Sequence, residues 1–137
     1  MYKLKDTICF KLMVIRDKIH DYSKKEFQEI GITYGNYVTL LLIYENPGIT
    51  QAQLAEANRK DRNVISQTLD KLENKNLVER VRGAVDRRSF TLYLTKNGED
   101  IIKKYWDIAL GGEQELFKKL SKEEQTSFCA ILDKLLG

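Results

Sequence analysis

The stretch TQAQLAEANRKDRNVISQTLDKLENKNLVERVRGAVDRRSFTLYLT, residues 50–95, decides the fold. It opens with Thr50 and, three residues on, Gln53, the pattern of a capping box. The Thr hydroxyl accepts from the third helical amide while the Gln side chain reaches back to the Thr amide. Leu54, Ala55 and Ala57 continue the helix so started, and Asn58 ends it. Asp61 or Asn63 can cap a second helix, on which Ile65, Leu69 and Leu72 recur at i, i+4 and i+7 and share one face. The other face carries Arg62, Asn63, Ser66, Gln67, Asp70 and Lys71. Arg, Asn, Gln and Ser hydrogen-bond base edges and phosphates, and here they crowd the N-terminal half, the part that enters the major groove in helix-turn-helix proteins. A covered scaffold helix followed by such a helix reads as a helix-turn-helix; a plain solvated helix face is the competing reading at this point.

The next eighteen residues weigh against the plain reading. Leu77-Val78-Glu79-Arg80-Val81-Arg82 alternates as a strand does, with Leu77, Glu79 and Val81 on one face. Ser89 to Leu94 alternates again and puts Phe90, Leu92 and Leu94 together. Gly83-Ala84-Val85-Asp86-Arg87-Arg88 joins the two runs, so the unit is a hairpin with a cationic tip. A hairpin directly after a recognition helix makes a wing, whose tip arginines can enter the minor groove, where the negative potential is strongest.

With these residues in view, the chain resembles the multiple-antibiotic-resistance regulator (MarR) family of bacterial winged-helix repressors. The resemblance is carried by Leu54-Ala55-Glu56, by Asp61 to Gln67, by Leu72-Glu73-Asn74-Lys75-Asn76-Leu77-Val78, and by Asp86-Arg87-Arg88 followed by Leu92-Tyr93-Leu94-Thr95-Lys96-Asn97-Gly98. The acidic-x-Arg wing with a Leu-Thr-x-x-Gly helix start is its most specific part, and the helix order extends it over nearly the whole chain. Asn76 stands where the family usually has Gly, and Asn tolerates a left-handed helix exit.

The totals agree with a single regulator-sized domain. The chain has 137 residues, 42% of them hydrophobic and 31% charged, enough for a core. No apolar run reaches the length of a bilayer span and no signal-peptide pattern opens the chain, so a cytoplasmic location is expected. Two distant cysteines without a CxxC, and one histidine, argue against a disulfide scaffold, a metal site and His-based catalysis. With no Gly-rich phosphate loop either, no cofactor and no enzymatic activity are expected. The net charge is +3, unevenly spread: residues 59–93 hold nine Lys or Arg against five Asp or Glu, and the rest 14 against 15. The positive excess thus falls on the candidate DNA-binding unit.

Outward from that unit, Met1 to about Phe27 is expected as one long helix, from Leu4, Ile8, Leu12, Ile15, Ile19 and Tyr22. Gly31-Ile32-Thr33 breaks the chain, and Thr33 caps a helix buried through Tyr34, Tyr37, Val38, Leu41, Leu42 and Tyr44, ended by Asn46-Pro47-Gly48. Thr95 caps a helix through Ile101, Ile102, Tyr105, Trp106 and Ile108, which Gly111-Gly112 is expected to interrupt or kink. Ser121 with Glu124 forms another capping box before Phe128, Ile131, Leu132, Leu135 and Leu136. The expected architecture is mainly α with a small β-hairpin wing: residues 1–30 an N-terminal dimerisation helix, 31–95 the winged helix-turn-helix, 96–137 the C-terminal dimerisation helices, in one continuous domain. Leu4, Ile8, Leu12, Phe117, Leu120, Phe128, Ile131 and Leu135 exceed what one winged helix can cover. Each is worth ~1.5–3 kcal/mol when buried, so a partner surface is expected, with a larger monomeric core as the alternative. In the resembled family the terminal helices interlock two subunits, and such a homodimer presents two recognition helices to a pseudo-palindromic operator in double-stranded DNA.

Each polar candidate then takes a role. Arg62, Asn63, Ser66 and Gln67 would read bases; Lys71, Arg82 and Thr50 or Gln51 would hold phosphates; Arg88, with Arg87, would enter the minor groove. By family analogy Asp86 orients Arg88 as a charge-assisted pair. Family members commonly release DNA on binding a small phenolic or other aromatic ligand, while an organic-hydroperoxide branch uses a cysteine of the first helix. Cys9-Phe10 and Ile32-Thr33-Tyr34 match that branch, Tyr34 at a position whose hydroxyl activates the thiolate. Ser23, with Tyr22 beside it, replaces a second tyrosine, Asp17 replaces an arginine, and Lys11 intrudes; a nearby carboxylate disfavours the thiolate. A lone Cys on an apolar helix face is also a common core residue, and Cys129 has no matched role. Three readings stay open: a ligand-released repressor, a thiol-based peroxide sensor using Cys9, and a winged-helix protein-interaction module without DNA binding.

Overall fold

Thr50 closes its capping box in the computed structural model, which describes residues 1–137: its hydroxyl accepts from the Gln53 amide at 3.1 Å and the Gln53 side chain accepts from the Thr50 amide at 3.0 Å. Thr33 with Asn36 and Ser121 with Glu124 close the same reciprocal pair. The element order is α1 (Ile8–Tyr22), α2 (Lys24–Glu29), α3 (Tyr34–Glu45), β1 (Ile49–Thr50), α4 (Gln51–Ala57), α5 (Arg62–Asn74), β2 (Val78–Arg82), β3 (Phe90–Leu94), α6 (Lys96–Phe117) and α7 (Lys122–Leu136). The expected mainly helical winged architecture is present. The chain divides into two compact units, Met1–Glu26 with Asp107–Gly137, and Phe27–Trp106. From the sequence alone these divisions fall at 30/31 and 95/96.

In the unit 27–106, helix exits are set by backbone geometry. After α5 the Asn76 amide donates to Glu73 and the Leu77 amide to Leu72, with Asn76 left-handed at φ 58°. This is the Schellman arrangement, and the apolar contact it favours falls to Leu72 and Leu77, both buried. Arg59 takes the same left-handed role after α4, at φ 52°, and turns the chain toward α5. Asp61 then caps α5 by accepting from the Asn63 amide at 2.7 Å. Below the two helices lies a core of Leu40, Ile43, Leu54, Ile65, Leu69, Leu72 and Leu92, all within 1% of full burial. Phe27 packs against Tyr37 and Tyr105, and the buried Tyr37 hydroxyl donates to the Ile102 carbonyl at 2.8 Å. Tyr44, expected inside, is exposed, because Leu40 and Ile43 are the residues of α3 that face the core.

The sheet has three strands in the order β1-β3-β2, all antiparallel, where a two-stranded hairpin was expected. Ile49 pairs with Leu92 and Thr50 with Thr91, a strand too short to show alternation in the sequence. The expected facing of β2 is also corrected. Val78, Arg80 and Arg82 stand opposite Leu94, Leu92 and Phe90, so Val78 is buried while Val81 is exposed. Leu77 is buried as well, but it precedes the strand and belongs to the helix exit.

The Leu-Thr-x-x-Gly segment fastens the start of α6 to the exit of α5. The Thr95 amide donates to the Leu77 carbonyl, its hydroxyl donates to the Asn76 carbonyl at 2.6 Å, and the same oxygen accepts from the Gly98 amide. A Cβ on Gly98 would lie 2.2 Å from the Leu77 oxygen, so only Gly lets α6 start this close to the end of α5.

In the other unit, the expected long first helix is replaced by a 3₁₀ turn at Leu4–Asp6, α1 and α2. Thr7 caps α1 by accepting from the Phe10 amide, and the buried Ser23 breaks the helix at φ −107°, ψ 8°. The apolar stripe runs through that break, which is why periodicity alone joined the two helices. Gly111 and Gly112 do not interrupt α6, which is continuous over 22 residues. A Cβ at Gly112 would sit 2.5 Å from the Ile19 carbonyl oxygen and one at Gly111 2.9 Å from the Tyr22 ring. The pair admits close approach of α1 and thereby offsets its poor helix propensity. Phe117 and Phe128 meet edge-on, and Gln125 donates to the Phe117 and Leu120 carbonyls, closing the turn into α7. No helix is long and apolar enough to cross a membrane.

Candidate nucleic-acid interface

The start of α4, the N-terminal half of α5 and the wing enclose an open groove of about 420 Å³. Thr50, Gln51 and Ala52 line one end, Arg62 and Ser66 the helix side, and Arg80, Asp86, Arg88, Ser89 and Phe90 the wing side. The α4 terminus is positioned by its capping box and by β1, and α5 by burial of Ile65, Leu69 and Leu72. The exposed arginines Arg62 and Arg88 therefore face a common space from two different elements.

The wing holds itself in shape. The Gly83 amide donates to Ser89 and the Ser89 amide and hydroxyl both donate to the Asp86 carbonyl. A Cβ at Gly83 would meet that carbonyl at 2.4 Å. The expected charge-assisted pair between Asp86 and the Arg88 guanidinium is not formed: the Asp86 carboxylate accepts from the Arg88 backbone amide at 2.9 Å, and the guanidinium stays exposed. Arg82 donates to the Arg87 carbonyl at 2.7 Å and lies over the Phe90 ring at 4.8 Å. It braces the tip through these two contacts. Arg87 and Arg88 are exposed beyond that brace.

Arg80 was not singled out from the sequence, and it is the residue that joins wing to helix. Its side chain is 12% exposed, ion-paired with Asp70 of α5, and its Nε lies 3.6 Å from Glu73. Asp70, read from the sequence as part of the base-facing surface, thus serves the wing. The alternation did contain this signal, since a frame taken from Val78 places Arg80 inward, opposite Leu92.

The remaining candidates are distributed more widely. Asn63 and Gln67 are exposed on the N-terminal half of α5 outside the groove lining, with Ser66 half-buried between them. Lys71 reaches away from the groove, donating to the Asn36 side chain at 2.9 Å at the start of α3. Cys9 and Cys129 are exposed free thiols of the first unit. Tyr34, in the second, is half-buried edge-on to Phe27.

Known proteins resemble this chain in sequence and in fold. Residues 30–89 match the family model described as MarR family. The HTH-type transcriptional regulator YybA of Bacillus subtilis is 30% identical over 131 residues, 93% of this chain and 85% of that one. The crystal structure of MarR superposes with a TM-score of 0.90 at 26% identity, covering 99% of this chain and 92% of the other. The S. aureus MepR–DNA complex does so at 0.84 and 28% identity, covering 95% and 96%. Matched in sequence along most of its length and in fold throughout, this chain belongs to the MarR family of transcriptional regulators.

Proposed function

We propose that the chain binds double-stranded DNA as a homodimer and represses transcription in the cytoplasm, where bacterial DNA lies, until a small aromatic ligand releases it. One observation carries the DNA part: Arg62 of the recognition helix and Arg88 of the wing face one open groove, with no acidic residue but Asp86, whose carboxylate accepts from a backbone amide. Such a groove suits a phosphate ridge between a helix in the major groove and a wing tip in the minor groove. Likeness to a MepR protein captured with DNA supports it. In this reading Arg62, Asn63, Ser66 and Gln67 meet base edges, Thr50 and Gln51 meet phosphate through the α4 terminus, and Arg87 and Arg88 enter the minor groove. Arg82 and Asp86 shape the wing. Lys71 contacts phosphate only by leaving Asn36.

The test is a set of binding curves on duplexes from the region upstream of its own gene, each with one altered base pair. Gln67→Ala is expected to relax discrimination at one position by ~1–3 kcal/mol while sparing the others. A uniform loss over all duplexes would assign Gln67 to phosphate instead. A second reading is a thiol-based peroxide sensor, which Cys9, a free thiol of α1, would serve. Release by an organic hydroperoxide that Cys9→Ser abolishes would establish it.

A further inference from the structure

The corner between α1 and α2 contains polar groups that nothing in the chain satisfies. Ser23 is 1% exposed, and its Oγ has no hydrogen-bond partner; the covered Oε2 of Glu26 has none either. Ser23 and Glu26 have the spacing of a capping box, yet this box stays open where the boxes at Thr33, Thr50 and Ser121 close. A covered polar atom without a partner costs ~1–3 kcal/mol. A donor bound between them would satisfy both.

Both line a cavity of about 250 Å³ together with Tyr22, Asp107, Ile108 and Gly111. The lining has two carboxylates, which accept only, a serine and a tyrosine hydroxyl, and no cationic side chain. Lys118, whose charge reaches Tyr22, is ion-paired with Glu115 at 2.9 Å. An anion would meet two negative groups there. A divalent metal would lack ligands, since no three His, Cys, Asp or Glu residues are placed to hold one, and hard cations take about six or more oxygens. What fits is a donor-rich cation with an apolar body: the charged head against Glu26, Asp107 and Ser23, the body against Ile108 and the Tyr22 ring, which also attracts cations.

We infer that this cavity binds a small organic cation, a primary ammonium on an aromatic or aliphatic body. It deepens the reading of a ligand-released regulator by giving the ligand a positive charge, and it rests on that reading only for its effect on DNA.

The experiment is calorimetric titration of the full chain with benzylammonium and, as its anionic counterpart of similar size, benzoate. Benzylammonium is expected to saturate one site per chain and benzoate to show none. Glu26→Gln and Asp107→Asn are each expected to weaken the amine by about tenfold or more, with thermal melting retained. Because Asp107 is exposed, its variant keeps the test valid even if Glu26→Gln fails to fold. Absence of saturable amine binding, equal binding of benzoate, or full affinity in Asp107→Asn would each overturn the proposal. Amine binding that leaves DNA affinity unchanged would uphold the cavity and sink the release mechanism instead.

Discussion

At Gly98 a single methyl group decides whether α6 can start where it does. The nearest atoms to an added Cβ are the Leu77 carbonyl oxygen at 2.2 Å and its carbon at 3.2 Å, backbone that already bonds Thr95. Gly98→Ala is expected to destabilise the fold by about 1–3 kcal/mol, as overpacking does. A urea midpoint equal to the wild type would show that the backbone yields freely there. The helix starts were legible in the sequence because they are settled within four residues: the Thr50–Gln53 and Ser121–Glu124 boxes and the Thr95 cap all appear where the pattern put them. Gly111 and Gly112 were misread for the opposite reason. Their use depends on Ile19 and Tyr22, about 90 residues away in sequence, and a local rule sees only poor helix formers.

At the scale of elements, the wing is set against the recognition helix by Arg80. Its partners Asp70 and Glu73 have side chains 62% and 47% exposed, so solvent screens much of the attraction. A double-mutant cycle of Arg80→Ala and Asp70→Ala is expected to give a coupling of about 1 kcal/mol, the low end for contacting residues. Operator affinity should fall in Arg80→Ala beyond what stability explains, because the groove loses its fixed width. Additive stabilities would mean that wing and helix are set by backbone pairing alone. This tie also explains why β2 was misread. Its inward arginine is acceptable only because two acids on another element meet it, and no periodicity in residues 77–82 reports that. The strand β1 was missed because two residues cannot show alternation.

At the scale of the molecule, Leu4, Ile8, Leu12, Ile15, Ile131, Leu135 and Leu136 are all exposed in the single chain. Of the apolar surplus read from the sequence, Phe117, Leu120 and Phe128 are half-buried within the chain, while Leu4, Ile8, Leu12, Ile131 and Leu135 are left uncovered. The proposed homodimer would cover these, and sedimentation should show twice the chain mass of 16.0 kDa. Leu12→Asp with Leu135→Asp is expected to shift the chain to monomer and to weaken operator binding with it, since one recognition helix then reads one half-site. A stable wild-type monomer would refute the dimer. The central claim, that the groove between α5 and the wing holds DNA, is tested most directly by anisotropy titrations of an upstream duplex over a salt series, with wild type and Arg88→Ala. For the wild type, log affinity should fall linearly with log salt, and Arg88→Ala should bind more weakly with a slope shallower by about 1. Salt-independent binding, or an Arg88→Ala chain indistinguishable from wild type, would contradict it.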